Sequence, residues 1–278
     1  RRNSISEEPM ARLRVAVAGA TGWVGRALIP AIMRDHELEL VAAIARRGAR
    51  RDIGLVVGVG PLGVLIDDAI GDALTHGRPQ VLVDFTSPFV VMDHVRAALG
   101  SGIAVVVGTS GIREEQFQEI DQLAQEQGVG ALVAGNFALT AVLMMKFAEM
   151  ARRHIPDCEI IEYHGANKLD APSGTALETI ARLERVAQTG APSAQPRPEM
   201  LGAAEARGIE MAGAQVHSVR LPGLVSHQEI LFGRPGELLT LRHDSFAAES
   251  YVAGTLLAMK RVIGLRGLVR GLDALLDL

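Results

Sequence analysis

The chain has 278 residues, 48% of them hydrophobic and 4% aromatic, with a formal net charge of −4. That length suits two domains, and the acidic balance excludes a broad basic surface for nucleic acid. A single cysteine, Cys158, excludes a disulfide framework and points to a reducing, cytoplasmic compartment. No apolar run approaches the ~18 residues of a membrane span.

In chain order, residues 1–9 (RRNSISEEP) are polar and lack the apolar stretch of a secretory signal. They read as a disordered extension or cloning scar ahead of Met10. RVAVAGATGWVGRALIPAIMRD (14–35) reads as a buried strand, a glycine turn and a helix. LELVAAIAR (38–46), VLVDFTSP (81–88), IAVVVGTSG (103–111) and GALVAGNF (130–137) read as four more buried strands. Helices follow the third and fourth of the five strands, from about Val90 to Leu99 and over 114–127. Such alternation predicts an α/β fold whose parallel sheet is wrapped by helices. Continuous Val/Ile/Ala runs suit strands covered on both faces.

After about Leu139 the pattern changes. A long helix over 140–154 leads into CEIIEYHG (158–165), then a helix from Thr175 to about Ala187. GAPSAQPRPEM (190–200) reads as a mobile loop. AQVHSVRLPG, SHQEILFG and ELLTLRHDS are extended segments separated by Gly/Pro turns, and they read as sequential antiparallel strands of an α+β unit. The tail from Phe246 reads as helical. The expected organisation is a dinucleotide-binding domain over 10–138, with C-terminal helices of 247–278 packing back on it. A substrate-binding and oligomerisation domain spans 139–246.

GATGWVG (19–25) places glycines at 19, 22 and 25 between a strand and a helix. Glycines let backbone amides approach a pyrophosphate, and the helix N-terminus attracts its charge. The bland alternative is a tight strand-helix turn. Where many NAD sites carry an acidic residue for the ribose, this chain reads Ile44-Ala45-Arg46-Arg47. A missing carboxylate beside two arginines suits a 2′-phosphate, hence NADPH; two solvated surface arginines are the alternative. Gly108-Thr109-Ser110 and Ala134-Gly135-Asn136-Phe137 end predicted parallel strands, where open α/β sheets bind ligands.

Pro172-Ser173-Gly174-Thr175 precedes the helical ALETIARL, so free amides there can hold a carboxylate. Lys168 adds a positive charge, and His164 can supply or accept a proton near neutral pH. An ordinary helix cap with a surface His and Lys explains the same spacing. His154, His217, His227 and His243 show no metal-ligand spacing and read as structural or surface groups. Lys146 and Glu149 read as a solvated i,i+3 pair.

EYHGANKLDAPSGTA (162–176) resembles the signature of the dihydrodipicolinate reductases of bacterial and plant lysine synthesis, which normally reads E-x-H-H-x-x-K-x-D-A-P-S-G-T-A. The resemblance runs from Arg14 along essentially the whole chain, through VAVAGATGWVGR, VDFTSP, VVVGTSG, AGNFAL, VHSVRLPGLVSHQEILFG and LTLRHDSF in the family's order. It implies a Rossmann-type domain, a second domain whose sheet builds a homotetramer, and NAD(P)H-dependent reduction of a small cyclic imine dicarboxylate. By position, His164 matches the catalytic acid and Lys168 the catalytic lysine. Ser173, Gly174 and Thr175, with Lys168 and position 165, match the substrate site. Gly19, Ala20, Thr21, Gly22, Trp23, Val24, Ala45, Arg46, Arg47, Gly108 through Ser110 and Ala134 through Phe137 match the cofactor site. No metal is implied. The chain departs from the family at Ala45, which replaces the usual acidic ribose ligand, and at Gly165, which replaces the second histidine. NADPH is the expected preferred donor, with NADH also used. A paralogue reducing another imine or keto acid, or a non-catalytic cofactor sensor, is the alternative.

Overall fold

A computed structural model of the chain describes residues 11–189 and 201–276. The expected leader 1–9 and the Pro/Ala-rich stretch 190–200 lie outside these residues. The elements run β1 (Leu13–Ala18), α1 (Trp23–Arg34), β2 (Leu38–Ile44), α2 (Ile53–Val57), β3 (Ile66–Asp67), α3 (Ile70–Gly77), β4 (Val81–Asp84), α4 (Val91–Gly100), β5 (Ala104–Val107), α5 (Glu114–Glu126) and β6 (Gly130–Val133). They continue with α6 (Leu139–Arg152), β7 (Cys158–His164), α7 (Gly174–Gln188), β8 (Ile209–Met211), β9 (Ala214–Arg220), β10 (Ser226–Arg234), β11 (Glu237–Ser245), α8 (Val252–Val262) and β12 (Gly267–Arg270). The chain divides into two compact units. One runs to Val133 and takes in Thr255–Arg270; the other is Ala134–Gly254 with the stretch from Gly271 onward.

The first unit is built on a seven-stranded sheet in the order β12-β6-β5-β4-β1-β2-β3, parallel throughout. One face buries Ala16, Ala18, Leu82, Val105 and Val107 against Val91, Val95 and Leu99 of α4 and Ile120 of α5. The alternate residues Val15, Val17, Val83, Val106 and Leu132 are equally sealed from water. Strands covered on both sides cannot show a polar period, which is why these segments read as unbroken apolar runs. The chain leaves β1 toward β2 and β3, then returns to lay β4 on the other side of β1. That reversal opens a crevice at the carboxyl ends of β1 and β4, where such sheets bind nucleotides. The tail read as wholly helical is corrected here: after α8 it supplies β12, the parallel neighbour of β6. GLVR is only partly buried at the sheet edge, so it lacks the fully buried run that marks the equally short β4, β5 and β6.

The second unit has a five-stranded sheet in the order β11-β10-β7-β9-β8. The expected run of sequential antiparallel strands is corrected: β9 and β10 do not pair. β7 lies between them, parallel to β9 and antiparallel to β10. The LPGLVS connection looks like a hairpin turn, but a tertiary partner takes the slot. β7 alternates strictly, and its buried face carries Cys158, Ile160, Glu162 and His164. Both sides of this alternation follow from the strand period of two. Two polar residues at the end of a buried face are the structural origin of the site.

Candidate active site

On the nucleotide side, the glycine turn meets three strand ends. The amides of Gly19 and Ala20 donate to the Ile44 carbonyl at 2.9 and 3.1 Å, which sets the turn beside Ala45 and Arg46. Gly19 sits at φ +82°, and a Cβ there would overlap the Phe85 carbonyl oxygen. A Cβ on Gly25 would overlap the Gly19 carbonyl oxygen, so α1 can pack this close to the turn only with glycine. No side chain caps α1 at Gly22 and its first turn holds no acid, so its amide dipoles are left for an external anion. Ala45 is buried, while Arg46 and Arg47 are exposed, with no ion pair or hydrogen bond to their side chains among the described residues. A pyrophosphate at the turn and a phosphate at these arginines fit this donor set.

Asp84, wholly buried at the end of β4, organises the neighbouring loops. Its Oδ1 accepts from the Thr86 hydroxyl at 2.6 Å, the Thr86 amide at 3.0 Å and the Thr109 hydroxyl at 2.7 Å. Its Oδ2 lies 2.7 Å from His94 Nδ1. The Gly108 amide donates to its backbone carbonyl at 2.9 Å. One carboxylate therefore ties Phe85–Ser87 to Gly108–Ser110. Asp84 and His94 escaped the sequence reading, although an acid closing the apolar run VLVD was a visible signal.

On the substrate side, Ser173 is the N-cap of α7, accepting from the Ala176 amide at 3.3 Å. The amides of Gly174 and Thr175 open the helix without an acidic neighbour in its first turn, which leaves them as carboxylate donors. Asn136, buried in the loop after β6, donates from Nδ2 to Thr175 Oγ1 at 3.0 Å. Its Oδ1 accepts from the Ala138 amide at 2.8 Å, so both ends of the amide are engaged. Of the Ala134–Phe137 stretch only Gly135 is exposed. Lys168 Nζ pairs with Asp170 Oδ1 at 2.8 Å. Burial pushes the Asp170 carboxyl up, but the lysine's hydrogen bond and charge hold it below the usual carboxylate range.

His164 is 7% exposed. Its Nδ1 donates to the Val225 carbonyl at 3.1 Å, and its Nε2 lies 3.0 Å from Glu162 Oε2. The Val225 amide in turn donates to His227 Nε2 at 3.3 Å, and His227 Nδ1 lies 2.9 Å from Asp244. Glu162 is 0% exposed. Arg220 donates to its Oε1 at 2.8 Å and to the Asp170 carbonyl at 2.5 Å. Burial drives the Glu162 carboxyl up, yet the closeness of His164, Ser173, Ser218 and Arg220 outweighs it and holds the group ionised well below the ordinary range. Glu162 and Arg220 were missed in sequence. Glu162 stands two residues before His164 on an alternating strand, and Arg220 is the register partner of His164 across β9.

Gly165 is not in the left-handed region, so glycine is not required there by φ. The backbone approach is real: a Cβ would meet the Leu224 carbonyl oxygen at 3.1 Å. Lys146 and Glu149 are not a solvated pair. They belong to a knot in which the nearly buried Arg182 meets Glu149 at 2.9 Å, Glu178 at 2.9 Å and Asp273 at 2.6 Å, with Lys146 on Asp273 at 2.9 Å. Burial raises the Asp273 carboxyl, but Arg182 and Lys146 bring it down to about 2. His217 pairs with Glu159, His243 is buried against Thr140, and His154 is exposed.

A doubly wound parallel sheet with a glycine turn and an uncapped helix, followed by a mixed-sheet unit bearing His164, Lys168 and the open amides of Gly174 and Thr175, defines a Rossmann-type oxidoreductase. The family models for dihydrodipicolinate reductase match the chain at residues 13–137 for the N-terminal part and 140–276 for the C-terminal part. The chain belongs to the dihydrodipicolinate reductase family. It is 44% identical over 268 residues to the 4-hydroxy-tetrahydrodipicolinate reductase of Moorella thermoacetica, covering 96% of this chain and 99% of the relative. Identity to the Desulfitobacterium hafniense enzyme of the same name is 41%, covering 96% and 100%. The dipicolinate-bound dihydrodipicolinate reductase from Paenisporosarcina sp. TG-14 superposes with a TM-score of 0.80 at 39% identity, covering 95% of this chain and 100% of that one.

Proposed function

We propose that this chain reduces 4-hydroxy-tetrahydrodipicolinate or its dehydrated form to tetrahydrodipicolinate, in lysine and diaminopimelate synthesis, with NADPH used at least as well as NADH. It is an NAD(P)H-dependent oxidoreductase. Ala20 through Val24 and the amides of α1 would hold the pyrophosphate, and Arg46 with Arg47 the 2′-phosphate. When bound, the reduced nicotinamide supplies a hydride to the conjugated imine. Lys168 and the amides of Gly174 and Thr175 hold the substrate's carboxylates. The Thr175 hydroxyl, accepting from Asn136, is free to turn its own hydrogen toward the substrate. His164 carries the proton that completes the reduction and recovers it from solvent afterwards. Substrate binding must draw Lys168 from Asp170, which exchanges one carboxylate for another at the same ammonium. The enzyme acts in the cytoplasm as a homotetramer.

The observation that carries this reading is the His164, Lys168, Ser173-Gly174-Thr175 set, gathered within one unit of a chain that both family models match. The test couples the protein to dihydrodipicolinate synthase and follows NADPH and NADH loss. Turnover with kcat/KM for NADPH at least equal to that for NADH is expected. No oxidation at high substrate would promote the paralogue or sensor reading. A clear NADH preference would remove the phosphate role from Arg46 and Arg47.

A further inference from the structure

Resemblance sets Asn136 among the cofactor contacts, but its side chain is turned to the start of α7. It is buried, at 3% exposure, in the loop after β6, and it lies with α7 in the second unit. Oδ1 accepts from the Ala138 amide at 2.8 Å, and Nδ2 donates to Thr175 Oγ1 at 3.0 Å. A backbone amide can only donate, so the side-chain oxygen must face Ala138 and the nitrogen must face Thr175. Flipping the amide would set donor against donor. At Thr175 the consequence is one-sided. A hydroxyl has one hydrogen and two lone pairs, and Asn136 occupies a lone pair. The hydrogen has no acceptor among the described residues. The Thr175 carbonyl is engaged as well, because Thr179 Oγ1 donates to it at 2.8 Å. Thr175 therefore offers an N–H and an O–H, and Gly174 before it a second N–H, at a helix start whose amides lack partners within the helix. Three donors without an acceptor suit an ionised carboxylate, which only accepts.

We infer that Asn136 is a positioning residue for the substrate: it fixes the Thr175 hydroxyl as a donor, and so sets the carboxylate affinity of the α7 start without touching substrate itself. The inference rests on the reading of Gly174 and Thr175 as carboxylate ligands. A threonine hydroxyl left to itself in a helix has other choices. It can change rotamer, or turn its hydrogen to a nearby backbone carbonyl. Either state withdraws the donor, and recovering it costs binding energy. With Asn136 in place the hydroxyl is ordered on folding, before any ligand arrives. Aspartate could not do the same. Its carboxylate would accept the Thr175 hydrogen, turn the lone pairs toward the substrate, and add a charge of the substrate's own sign.

Dipicolinate dissociation constants, measured by calorimetry at saturating NADPH, read this without turnover. Thr175→Val should weaken dipicolinate binding roughly 10–100-fold, the loss of one hydrogen bond to a charged group. Thr175→Ser keeps the hydroxyl and should stay within about threefold of wild type, because the bonded group is the same. Asn136→Ala should weaken binding about 3–10-fold when Thr175 is present, and by less than about twofold in the Thr175→Val background. Any contribution of Asn136 to the nucleotide is common to both backgrounds and cancels in the cycle. Equal losses in both backgrounds overturn the inference. So does a Thr175→Ser protein as weak as Thr175→Val. If Asn136→Ala does not fold, Asn136→Asp keeps the acceptor for the Ala138 amide and enters the same cycle; a loss no larger with Thr175 than with Val at that position is equally fatal. A wild-type chain that binds dipicolinate but reduces nothing refutes the reductase reading alone. One that binds no dipicolinate removes the carboxylate subsite, and the inference falls with it.

Discussion

Two buried carboxylates, Asp84 at the end of β4 and Glu162 two residues before the end of β7, each tie neighbouring segments together. Asp84 is surrounded by two hydroxyls, an amide and one imidazole. Glu162 faces a guanidinium and an imidazole as well as the hydroxyls of Ser173 and Ser218. The first arrangement satisfies its acceptor capacity by hydrogen bonds and fixes the shape of a binding crevice. The second sets the carboxylate between a full positive charge and the His164 ring. The same residue chemistry is satisfied mainly by hydroxyl and amide donors in the first unit and by a guanidinium besides in the second.

The sharpest separation comes from the groups to which the proposed chemistry is assigned. His164→Ala and Lys168→Ala should each lower kcat by about 10²–10⁴-fold, while NADPH dissociation constants stay at the wild-type value. Equal losses in cofactor binding would erase the distinction between the two sides. Next in size is Arg46→Ala. Loss of a hydrogen bond to a charged group is worth about 1.5–3 kcal/mol, so kcat/KM with NADPH should fall roughly 10–100-fold, and that with NADH much less. Parallel losses with both donors would show that Arg46 serves the fold instead of a phosphate.

Asp84→Asn tests the geometric carboxylate. The amide keeps the volume but gives up acceptor capacity toward Thr86, Thr109 or His94, at about 1–3 kcal/mol for a buried group left unpaired. Nucleotide affinity should weaken by roughly tenfold, with dipicolinate binding untouched. An unchanged nucleotide Kd in a folded variant would mean the loops hold their shape without it. The smallest effect is expected for Gly165→His. The backbone conformation accepts a side chain, but the Leu224 carbonyl must yield by a few tenths of an ångström. KM for the dicarboxylate should fall by less than tenfold with kcat nearly constant. An unchanged KM in a well-folded protein would show that a missing imidazole does not limit binding.

Much of the first unit was legible because β1, β2, β4, β5 and β6 are largely buried apolar runs set between helices with a clear period. β3 and β12 were not legible: β3 has two residues, and β12, as short as β4, β5 and β6, is only partly buried at the sheet edge and lacks their fully buried run. In the second unit the strands could be found but not ordered, because the partner of β9 is set by a segment 56 residues earlier, not by the turn that follows. The same limit hid Arg220, whose meeting with Glu162 depends on that register. It also hid the surroundings of Lys146 and Glu149. Their i,i+3 spacing looks the same whether a helix faces water or, as here, a nearly buried arginine and a carboxylate from the tail. His164, Lys168 and Ser173-Gly174-Thr175 were legible since they lie in one short run, where sequence proximity and spatial proximity coincide.

Strand β12 and Asp273 lie within the seven residues 267–273, yet one finishes the nucleotide unit's sheet and the other neutralises Arg182 in the substrate unit. A ribosome that has released everything up to Arg266 has completed neither body. The emerging chain carries β6 as an open sheet edge, which is a template for pairing with other chains, and a guanidinium short of one of its three carboxylate partners. Maturation is therefore synchronised: both halves become complete at one moment late in synthesis, instead of the first standing finished while the second is made. A chain truncated after Arg266 should lose nucleotide binding and the cooperative melting of both units together. A truncated chain that still binds NADPH with wild-type affinity would show that the nucleotide unit matures on its own schedule.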